Sequence, residues 1–413
     1  MSRKTVGVVG GGAAGMMVAI TAARQGASVT ILERGERVGR KLLMTGNGKC
    51  NLGNLCLDAD MYYGGSREWI QNVLSCFGVE DTVHFFRELG LLIKNKNGYL
   101  YPACEQASVV LDVLRNELKV LGVEILTECK INHIEKNNTS NTEIVLSDGK
   151  QQFAFDSVVL ACGGRAAPKT GSDGSGYKLA KQTGHRLIPT VPALVQLRCR
   201  EDYLKAVAGV RAEGRICVRK NGECVAEEAG EIQFTDYGIS GIPVFQLSRV
   251  VNYLLKEQEE VEVTLNLLSE YTDSDFSTLC VSRGLLQSDR TVEEFFTGML
   301  NKKLMTLFIK MAGLKPTMPV ENAEATRLEL VYGLCRSLTL HITGSNPYDN
   351  AQVSAGGVDV TQVTENMESR LCPGVYFAGE MLDVDGKCGG YNLQWAWSSG
   401  YLAGMAAGRY SRK

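Results

Sequence analysis

The chain has 413 residues, of which 44% are hydrophobic and 22% are charged. This composition is typical of a folded globular protein and excludes a disordered or fibrous chain. Lysine and arginine total 44 and aspartate and glutamate total 46, which gives a formal net charge of -2. That balance argues against a protein that binds nucleic acid through bulk positive charge. The length predicts two or three domains.

The thirteen cysteines are scattered and contain no C-x-x-C pair. An odd number without such pairs predicts reduced thiols rather than a disulfide framework or a zinc site, so we expect a cytoplasmic protein. The four histidines have no metal-ligand spacing, and no metal is expected. Residues 6–23 are apolar but include five glycines, which predicts a strand, a turn and a helix instead of a signal peptide or membrane anchor.

The first predicted elements form a βαβ unit of about 30 residues. Residues 6–9 are rich in valine and predict a buried strand. A glycine-rich turn follows, and then a predicted helix over about 13–25. Residues 29–33 predict a second strand. The intervening Gly10-x-Gly12-x-x-Gly15, followed by an acid at Glu33, is the pattern of a dinucleotide-binding turn. Its glycines permit a tight turn and a close approach of pyrophosphate to the amino end of the helix.

The elements that follow are less regular. Residues 40–51 are rich in glycine, asparagine and lysine and predict a loop. Helical patterns are expected at 66–77, 80–89 and 107–121, and strands at 123–126, 130–135, 143–146 and 157–161.

Short alternating runs separated by glycine over about 190–255 predict a β-rich domain, and about 268–313 predicts helices. We therefore expect an α/β fold in which a Rossmann-like domain is built from both chain ends. Its predicted ranges are 1–190 and 350–413. A β domain is expected over 191–265 and 326–349, with a small helical subdomain over 266–325.

The last helix carries small residues every four positions, at Ala396, Gly400, Gly404 and Gly408. The first helix carries Ala14, Val18 and Ala22 at the same spacing. Small residues on one face let helices approach closely, so these two stripes are predicted to pack together. Trp395 and Trp397 are expected in the core or in a subunit contact.

Several motifs together resemble the BaiN-like, or aminoacetone-oxidase-like, family of FAD-dependent oxidoreductases among the glutathione-reductase-like flavoproteins. The motifs that carry the resemblance lie at 38–41, 46–51, 353–358, 367–369, 379–386 and 389–392. Lys49 departs from the family pattern, in which arginine is more usual; it keeps the charge but loses the bidentate fork. The resemblance implies that the Rossmann-like domain over 1–190 and 350–413 is an FAD-binding domain, that the inserted β domain over 191–265 and 326–349 is a β-barrel, and that residues 266–325 form a helical insert.

The predicted cofactor contacts combine the glycine turn with loops that the resemblance places around FAD. They are Gly10, Gly12, Ala13, Ala14, Gly15, Glu33, Arg34, Arg40, Lys41, Thr45, Gly46, Asn47, Gly48, Cys50, Asn51, Ile131, Ala161, Gly163, Gly379, Glu380, Asp385, Gly390, Tyr391, Asn392 and Leu393. No catalytic residue is assigned, and the candidates are Tyr391, Cys388 and Cys50. A glycine-rich loop at 171–176 lacks the G-x-G-x-x-G spacing, so no separate nicotinamide domain is predicted.

Three functions remain open at this point. The resemblance implies an FAD-dependent oxidoreductase that transfers hydride through flavin N5, with reduction of a conjugated C=C in a 3-oxo steroid of bile-acid type and NAD(P)H as a transient donor. A second hypothesis is an oxidase of small amines such as aminoacetone. A third is a flavoprotein that acts on tRNA or binds FAD without turnover. The expected partner is a small-molecule substrate, with no nucleic acid and no membrane, and the oligomeric state is not predicted.

Overall fold

The computed structural model describes residues 3–136, 143–286 and 289–409. Its strands, in chain order, are β1 Thr5–Val9, β2 Ser28–Leu32, β3 Gly53–Asn54, β4 Tyr62–Gly64, β5 Ile93–Lys96, β6 Tyr99–Pro102, β7 Glu124–Leu126, β8 His133–Lys136, β9 Ile144–Ser147, β10 Gln152–Phe155, β11 Ser157–Leu160, β12 Leu187–Ala193, β13 Leu197–Cys199, β14 Arg211–Lys220, β15 Glu223–Phe234, β16 Gly238–Ser240, β17 Val261–Asn266, β18 Leu338–Ser345, β19 Val353–Val358, β20 Val375–Phe377 and β21 Val384–Gly386. Its α-helices are α1 Ala13–Arg24, α2 Arg67–Cys76, α3 Val79–Glu88, α4 Ala107–Val120, α5 Gly176–Gln182, α6 Ile242–Lys256, α7 Asp273–Leu286, α8 Val292–Phe296, α9 Lys302–Met311, α10 Ala325–Arg336 and α11 Tyr391–Gly408.

The chain divides into two compact units. The first unit comprises Met1–Val191 and Ala351–Lys413, and the second comprises Pro192–Asn350. The first unit therefore draws on both chain ends. The α/β fold class with a Rossmann-type sheet is confirmed, whereas the separate helical subdomain over 266–325 stays a prediction.

A parallel five-stranded sheet forms the centre of the first unit, in the order β20-β11-β1-β2-β7. Strand β11 is buried at every position, and so is β1 from its second residue onward, as expected for a parallel sheet with both faces covered. Strand β1 is paired with β2 on one side and with β11 on the other. The carboxyl ends of β1 and β11 therefore define a topological switch point, where such folds bind ligands.

The small-residue stripes of α1 and α11 pack against each other, which confirms the sequence prediction. A Cβ on Gly400 would lie 2.8 Å from the carbonyl oxygen of Ala14, and one on Gly404 would lie 2.7 Å from that of Val18. Helix α11 therefore packs closely along α1. Trp397, which is fully buried, packs edge-on against Phe86 with ring centroids 5.2 Å apart.

The local predictions in the first unit are mostly correct. Helices α2, α3 and α4 begin and end within one residue of the predicted bounds. The strand predicted at 130–135 begins only at His133, and the predicted loop at 40–51 contains 3-10 turns over Leu42–Gly48. The additional small sheets, β10-β9-β8 and β3-β6-β5, are antiparallel.

The second unit contains a closed barrel in the order β13-β16-β15-β14-β17-β18. Its apolar core is continuous with the helices that follow, since Ile216 and Val263 of the barrel belong to the same buried cluster as Phe296 and Phe308. The β-rich stretch predicted over about 190–255 also contains a helix that was not predicted, α6. Its buried positions recur at helical spacing, with Pro243 in its first turn, where proline is tolerated.

One cysteine prediction is also corrected. Cys217 and Cys224 form a disulfide across the β14–β15 hairpin. Two strands of one hairpin bring distant side chains to a spacing that a bridge can close, and sequence separation alone does not show this. The other eleven cysteines, all within the described residues, are not disulfide-bonded.

Candidate functional site

A cleft of about 1290 Å³, including space open to solvent, lies in the first unit at the carboxyl ends of the parallel strands. Its walls come from the loops after β1, β2, β11 and β20 and from the starts of α1 and α11. The predicted cofactor residues that line it are Gly10, Gly12, Ala13, Ala14, Glu33, Arg34, Arg40, Lys41, Thr45, Ile131, Ala161, Gly163, Gly379, Glu380, Asn392 and Leu393. Those outside its lining are Gly15, Gly46, Asn47, Gly48, Cys50, Asn51, Asp385, Gly390 and Tyr391.

The glycine turn has the geometry that its spacing predicts. Gly10 has a φ of +104°, and a Cβ there would lie 2.6 Å from the carbonyl oxygen of Ala161. A Cβ on Gly15 would lie 1.9 Å from the carbonyl oxygen of Gly10. Gly12 differs, because a Cβ there would meet nothing within 4 Å. The backbone at Gly12 and the amino end of α1 therefore face open space in the cleft, where free N–H groups and the helix dipole favour an anion.

The acid after β2 is buried and held by backbone donors. The carboxylate of Glu33 accepts hydrogen bonds from the Gly11 N–H at 2.8 Å and from the Gly35 N–H at 2.7 Å. Each carboxylate oxygen has a second lone pair, so Glu33 can also accept hydrogen bonds from ribose hydroxyls. This is the role that the dinucleotide pattern predicts for it.

Cationic side chains line the middle of the cleft. Lys41 Nζ lies 2.6 Å from Glu380 Oε2, and the other oxygen of Glu380 accepts from the Ser354 N–H at 2.9 Å. Arg34 pairs with Asp173, and Arg40 donates to the carbonyl oxygen of Lys169 at 2.8 Å. Beside the amino end of α1, these groups suit a pyrophosphate and the hydroxyls of a linked sugar alcohol.

The start of α11 is shaped by two glycines. A Cβ on Gly390, where φ is +96°, would lie 2.8 Å from Asn51 Oδ1. Asn392 bonds back to the preceding loop, accepting from the Gly386 N–H at 2.8 Å and donating to the Gly386 oxygen at 2.7 Å. The amino end of α11 is thus held rigidly, and its dipole favours negative charge nearby.

Of the three catalytic candidates, two have internal structural roles. Cys50 is fully buried, and burial raises the pKa of its thiol to about 12, which disfavours the nucleophilic thiolate. The hydroxyl of Tyr391 donates to the carbonyl oxygen of Cys56 at 3.2 Å, and burial raises its pKa. Cys388 is partly exposed in the loop before α11 and remains a candidate.

Sequence reasoning missed several residues that line the cleft. Four residues of the glycine-rich loop at 171–176, which was considered above as a second nucleotide site, line this same cleft: Gly171, Ser172, Ser175 and Gly176. Trp395, predicted as a core residue, is buried but also lines the cleft and donates to the Gly379 oxygen at 3.2 Å. The loop composition was a usable signal for Ser172, whereas nothing local distinguishes Trp395 from Trp397.

The residues present fit an adenine dinucleotide. Among the buried polar atoms without a hydrogen-bond partner within the described ranges, Ser172 Oγ and Asn51 Oδ1 lie in or near the cleft. A buried unpaired polar atom costs free energy unless a ligand satisfies it. One lines the cleft and the other adjoins the start of α11, so a long ligand with polar groups at both ends accounts for them.

The described helices include none with the length and apolar composition needed to cross a bilayer. Over the same residues, no group of three or more histidine, cysteine, aspartate or glutamate side chains is arranged to hold a metal ion.

The sheet order, the glycine turn and the ion-paired cleft define a dinucleotide-binding protein of Rossmann type. The model of the HI0933-like protein Rossmann domain matches residues 4–406. The chain therefore belongs to the HI0933-like family.

Two curated relatives align along almost the whole chain. The 3-dehydro-bile acid delta(4,6)-reductase of Clostridium scindens is 42% identical over 405 residues, covering 97% of this chain and 98% of the relative. The ribosomal RNA dihydrouridine synthase of Haemophilus influenzae is 30% identical over 408 residues, covering 97% and 98%. The structure of 3-ketosteroid delta1-dehydrogenase from Sterolibacterium denitrificans aligns with a TM-score of 0.50 at 12% identity, covering 98% of this chain and 99% of that one, and shows a shared fold alone.

Proposed function

We propose that this protein reduces a C=C bond conjugated with the 3-oxo group of a bile-acid-type steroid and takes its electrons from NAD(P)H. The observation that carries the proposal is the 42% identity, over 97% of the chain, to a 3-dehydro-bile acid delta(4,6)-reductase. The cleft supports it, because it can hold the flavin cofactor that such a reduction needs.

The two relatives' names describe related chemistry. A 3-oxo-4,6-diene has its double bonds conjugated with a carbonyl group, and the C5=C6 bond of uridine is likewise conjugated with a carbonyl. In both reactions a hydride adds to the carbon remote from the carbonyl and a proton adds to its neighbour. When bound, FAD in its reduced form supplies the hydride.

The chain's own residues would position and shield these reactants. The Lys41–Glu380 pair and the backbone donors to Glu33 are fixed in advance and require little rearrangement when the cofactor binds. The amino end of α11 offers a positive dipole to charge that builds up next to it. The proton donor is not assigned. The Tyr391 hydroxyl donates to a backbone oxygen and Cys50 is buried, whereas Cys388 remains a candidate.

The proposal is tested with purified, FAD-loaded protein under anaerobic conditions. Reduced protein is mixed with a 3-oxo-4,6-diene steroid acid, and flavin reoxidation is followed by absorbance. The matched control is the 3-hydroxy-4,6-diene, which has the same double bonds without the conjugated carbonyl. We expect reoxidation with the ketone alone and a product two mass units heavier, and no reoxidation with the ketone would contradict the proposal.

The electron donor is tested separately. NADH and NADPH are each added to the oxidised protein without oxygen, and bleaching of the flavin absorbance is recorded. Bleaching by either nucleotide supports the assigned donor class. Failure of both would remove NAD(P)H from the proposal and leave the reduction of the steroid to be driven by another donor.

A second candidate is reduction of uracil within RNA, favoured by the 30% identity to a ribosomal RNA dihydrouridine synthase. It is tested by incubating the reduced protein with unmodified ribosomal RNA and measuring dihydrouridine by mass spectrometry. Peroxide release with aminoacetone in air tests the amine-oxidase hypothesis, for which the two relatives offer no support.

A further inference from the structure

Three lysines of the first unit surround one carboxylate. Lys49 Nζ lies 2.9 Å from Glu105 Oε2, and Lys94 and Lys96 both pair with Glu105 Oε1. We call Lys49, Lys94 and Lys96 the three-lysine cluster. In the part of the chain that the structure describes, Glu105 is the one ion-pair partner of all three ammonium groups.

The cluster follows from strand register and from one unusual backbone conformation. Lys94 pairs with Tyr101 and Lys96 with Tyr99 across β5 and β6, so all four side chains share one face of the sheet. Glu105 has a φ of +55°, in the left-handed region, and its N–H donates to the Pro102 oxygen at 2.9 Å. This turn directs its carboxylate to that face.

The cluster carries an excess of positive charge and of donors. Three ammonium groups and one carboxylate leave a net charge of about +2, and each ammonium has three N–H donors. The hydrogen bonds from Lys94, Lys96 and Lys49 hold the pKa of the Glu105 carboxyl well below its usual range, so it stays ionised. The side chains of Lys49, Lys94 and Lys96 are 51%, 34% and 49% exposed, which leaves them open to a ligand.

The cluster lies beside the loops that border the cleft where α11 begins. A Cβ on Gly46, in the turn that follows Thr45, would lie 3.8 Å from the ring of Tyr101. A Cβ on Gly389 would lie 2.9 Å from the ring of Tyr99, and Asn54 Nδ2 donates to the Gly389 oxygen at 3.1 Å. Thr45 itself lines the cleft.

Exposed apolar groups accompany the charge. Tyr99 is 39% exposed and Met44, in the same turn as Thr45, is 60% exposed. A flat apolar molecule with an acid at one end matches this combination, because its body can cover Tyr99 while its acid meets the lysines on the same face of the sheet. A polyphosphate would gain nothing from the apolar groups.

We propose that the three-lysine cluster binds the carboxylate of an acidic, otherwise apolar substrate whose other end reaches the cleft. The inference rests on the proposed function, since it adds the substrate's acid to the 3-oxo steroid. It assigns Lys94 and Lys96 a role in substrate affinity and specificity and no part in the chemical step.

The test compares a 3-oxo-4,6-diene steroid acid with its methyl ester in two double variants. Lys94→Gln/Lys96→Gln removes two cluster charges. Lys119→Gln/Lys181→Gln is the control, because it removes two charges from exposed lysines on α4 and α5. The values of kcat and KM are measured for both substrates, and the dissociation constant of a saturated 3-oxo steroid acid is measured through its perturbation of the flavin spectrum.

We expect the native protein and the control to bind the acid about tenfold more tightly than the ester. A tenfold difference corresponds to about 1.4 kcal/mol, which is typical of a charge-assisted hydrogen bond. The cluster variant should lose this preference through KM, with kcat and activity on the ester unchanged. Added salt should raise KM for the acid alone in the native protein.

Equal use of acid and ester by the native protein, or a preference that survives in the cluster variant, would overturn the inference while leaving the proposed function intact. A loss confined to KM for NADPH, with NADH unaffected, would also overturn it, since the cluster would then bind the phosphate of the donor. Failure of the native protein to reduce either steroid would instead contradict the proposed function.

Discussion

Both units of this protein have a buried apolar core, and they differ in whether a cleft adjoins it. The first unit combines large buried side chains, such as Trp397 and Phe86, with a glycine turn in which Gly15 meets Gly10 beside the cleft. The second unit packs large apolar side chains, such as Phe234 and Phe308, inside and beside a closed barrel. We therefore expect mutations at the glycine turn of the first unit to affect cofactor binding, and those at the buried aromatic residues of the second unit to affect folding.

The largest effect is expected at Gly15. A Cβ there would lie 1.9 Å from the Gly10 oxygen, so Gly15→Ala must displace the turn, and we expect no FAD to remain after purification. Gly12→Ala has room for its Cβ in the cleft, so the protein should fold with normal circular dichroism yet bind FAD more weakly. Gly333→Ala in α10, which also meets nothing within 4 Å, is the control and should be neutral or more stable by up to about 1 kcal/mol.

The opposite outcome is expected in the second unit. Phe308 is fully buried, and Phe308→Ala should lower the free energy of unfolding by about 3–5 kcal/mol through lost burial and an internal cavity. Chemical denaturation followed by circular dichroism measures this loss. At low temperature the variant should retain its FAD, and a colourless but folded variant would break the distinction between the units.

A smaller effect is expected at the ion pair in the cleft. Both side chains of the Lys41–Glu380 pair are partly shielded from solvent, with 26% and 19% exposed. Glu380→Gln keeps an acceptor for the Ser354 N–H but removes the charge, and we expect FAD affinity to fall about tenfold. A double-mutant cycle with Lys41→Met isolates the contribution of the Lys41–Glu380 interaction to FAD binding. Strictly additive effects of the two substitutions would show that the two side chains do not act as a pair.

The smallest effect concerns pH and His185 in the first unit. Burial lowers the pKa of this imidazole from about 6.5, and its ring nitrogens lie 3.0 Å from Thr183 Oγ1 and Ser369 Oγ. The unfolded chain therefore binds the proton first as pH falls. Stability should decrease as pH is lowered from about 6.5 through the folded-state pKa, by at most about 1.4 kcal/mol per pH unit. Thermal unfolding at pH 7.5, 6.5 and 5.5 measures this, and His185→Gln should abolish the dependence attributable to this group.

Local patterns in the sequence were sufficient for much of the first unit. The glycine turn, the bounds of α2, α3 and α4 and the matching stripes of α1 and α11 all depend on residues a few positions apart. Helix α6 was not predicted, because it follows a series of strand-like runs although its own buried residues recur at helical spacing.

The sequence by itself determined the dinucleotide turn, the α/β class and the resemblance to flavoproteins, because the turn follows from spacing within one segment and the other two follow from several such segments taken in chain order. Tertiary structure alone decided which distant residues meet. It placed the 171–176 loop and Trp395 in the cleft, joined Cys217 to Cys224, buried Cys50 and gathered three lysines around Glu105. Contacts of this kind depend on strand register and on the path of the loops between elements, and neither can be predicted from the periodicity of a single segment.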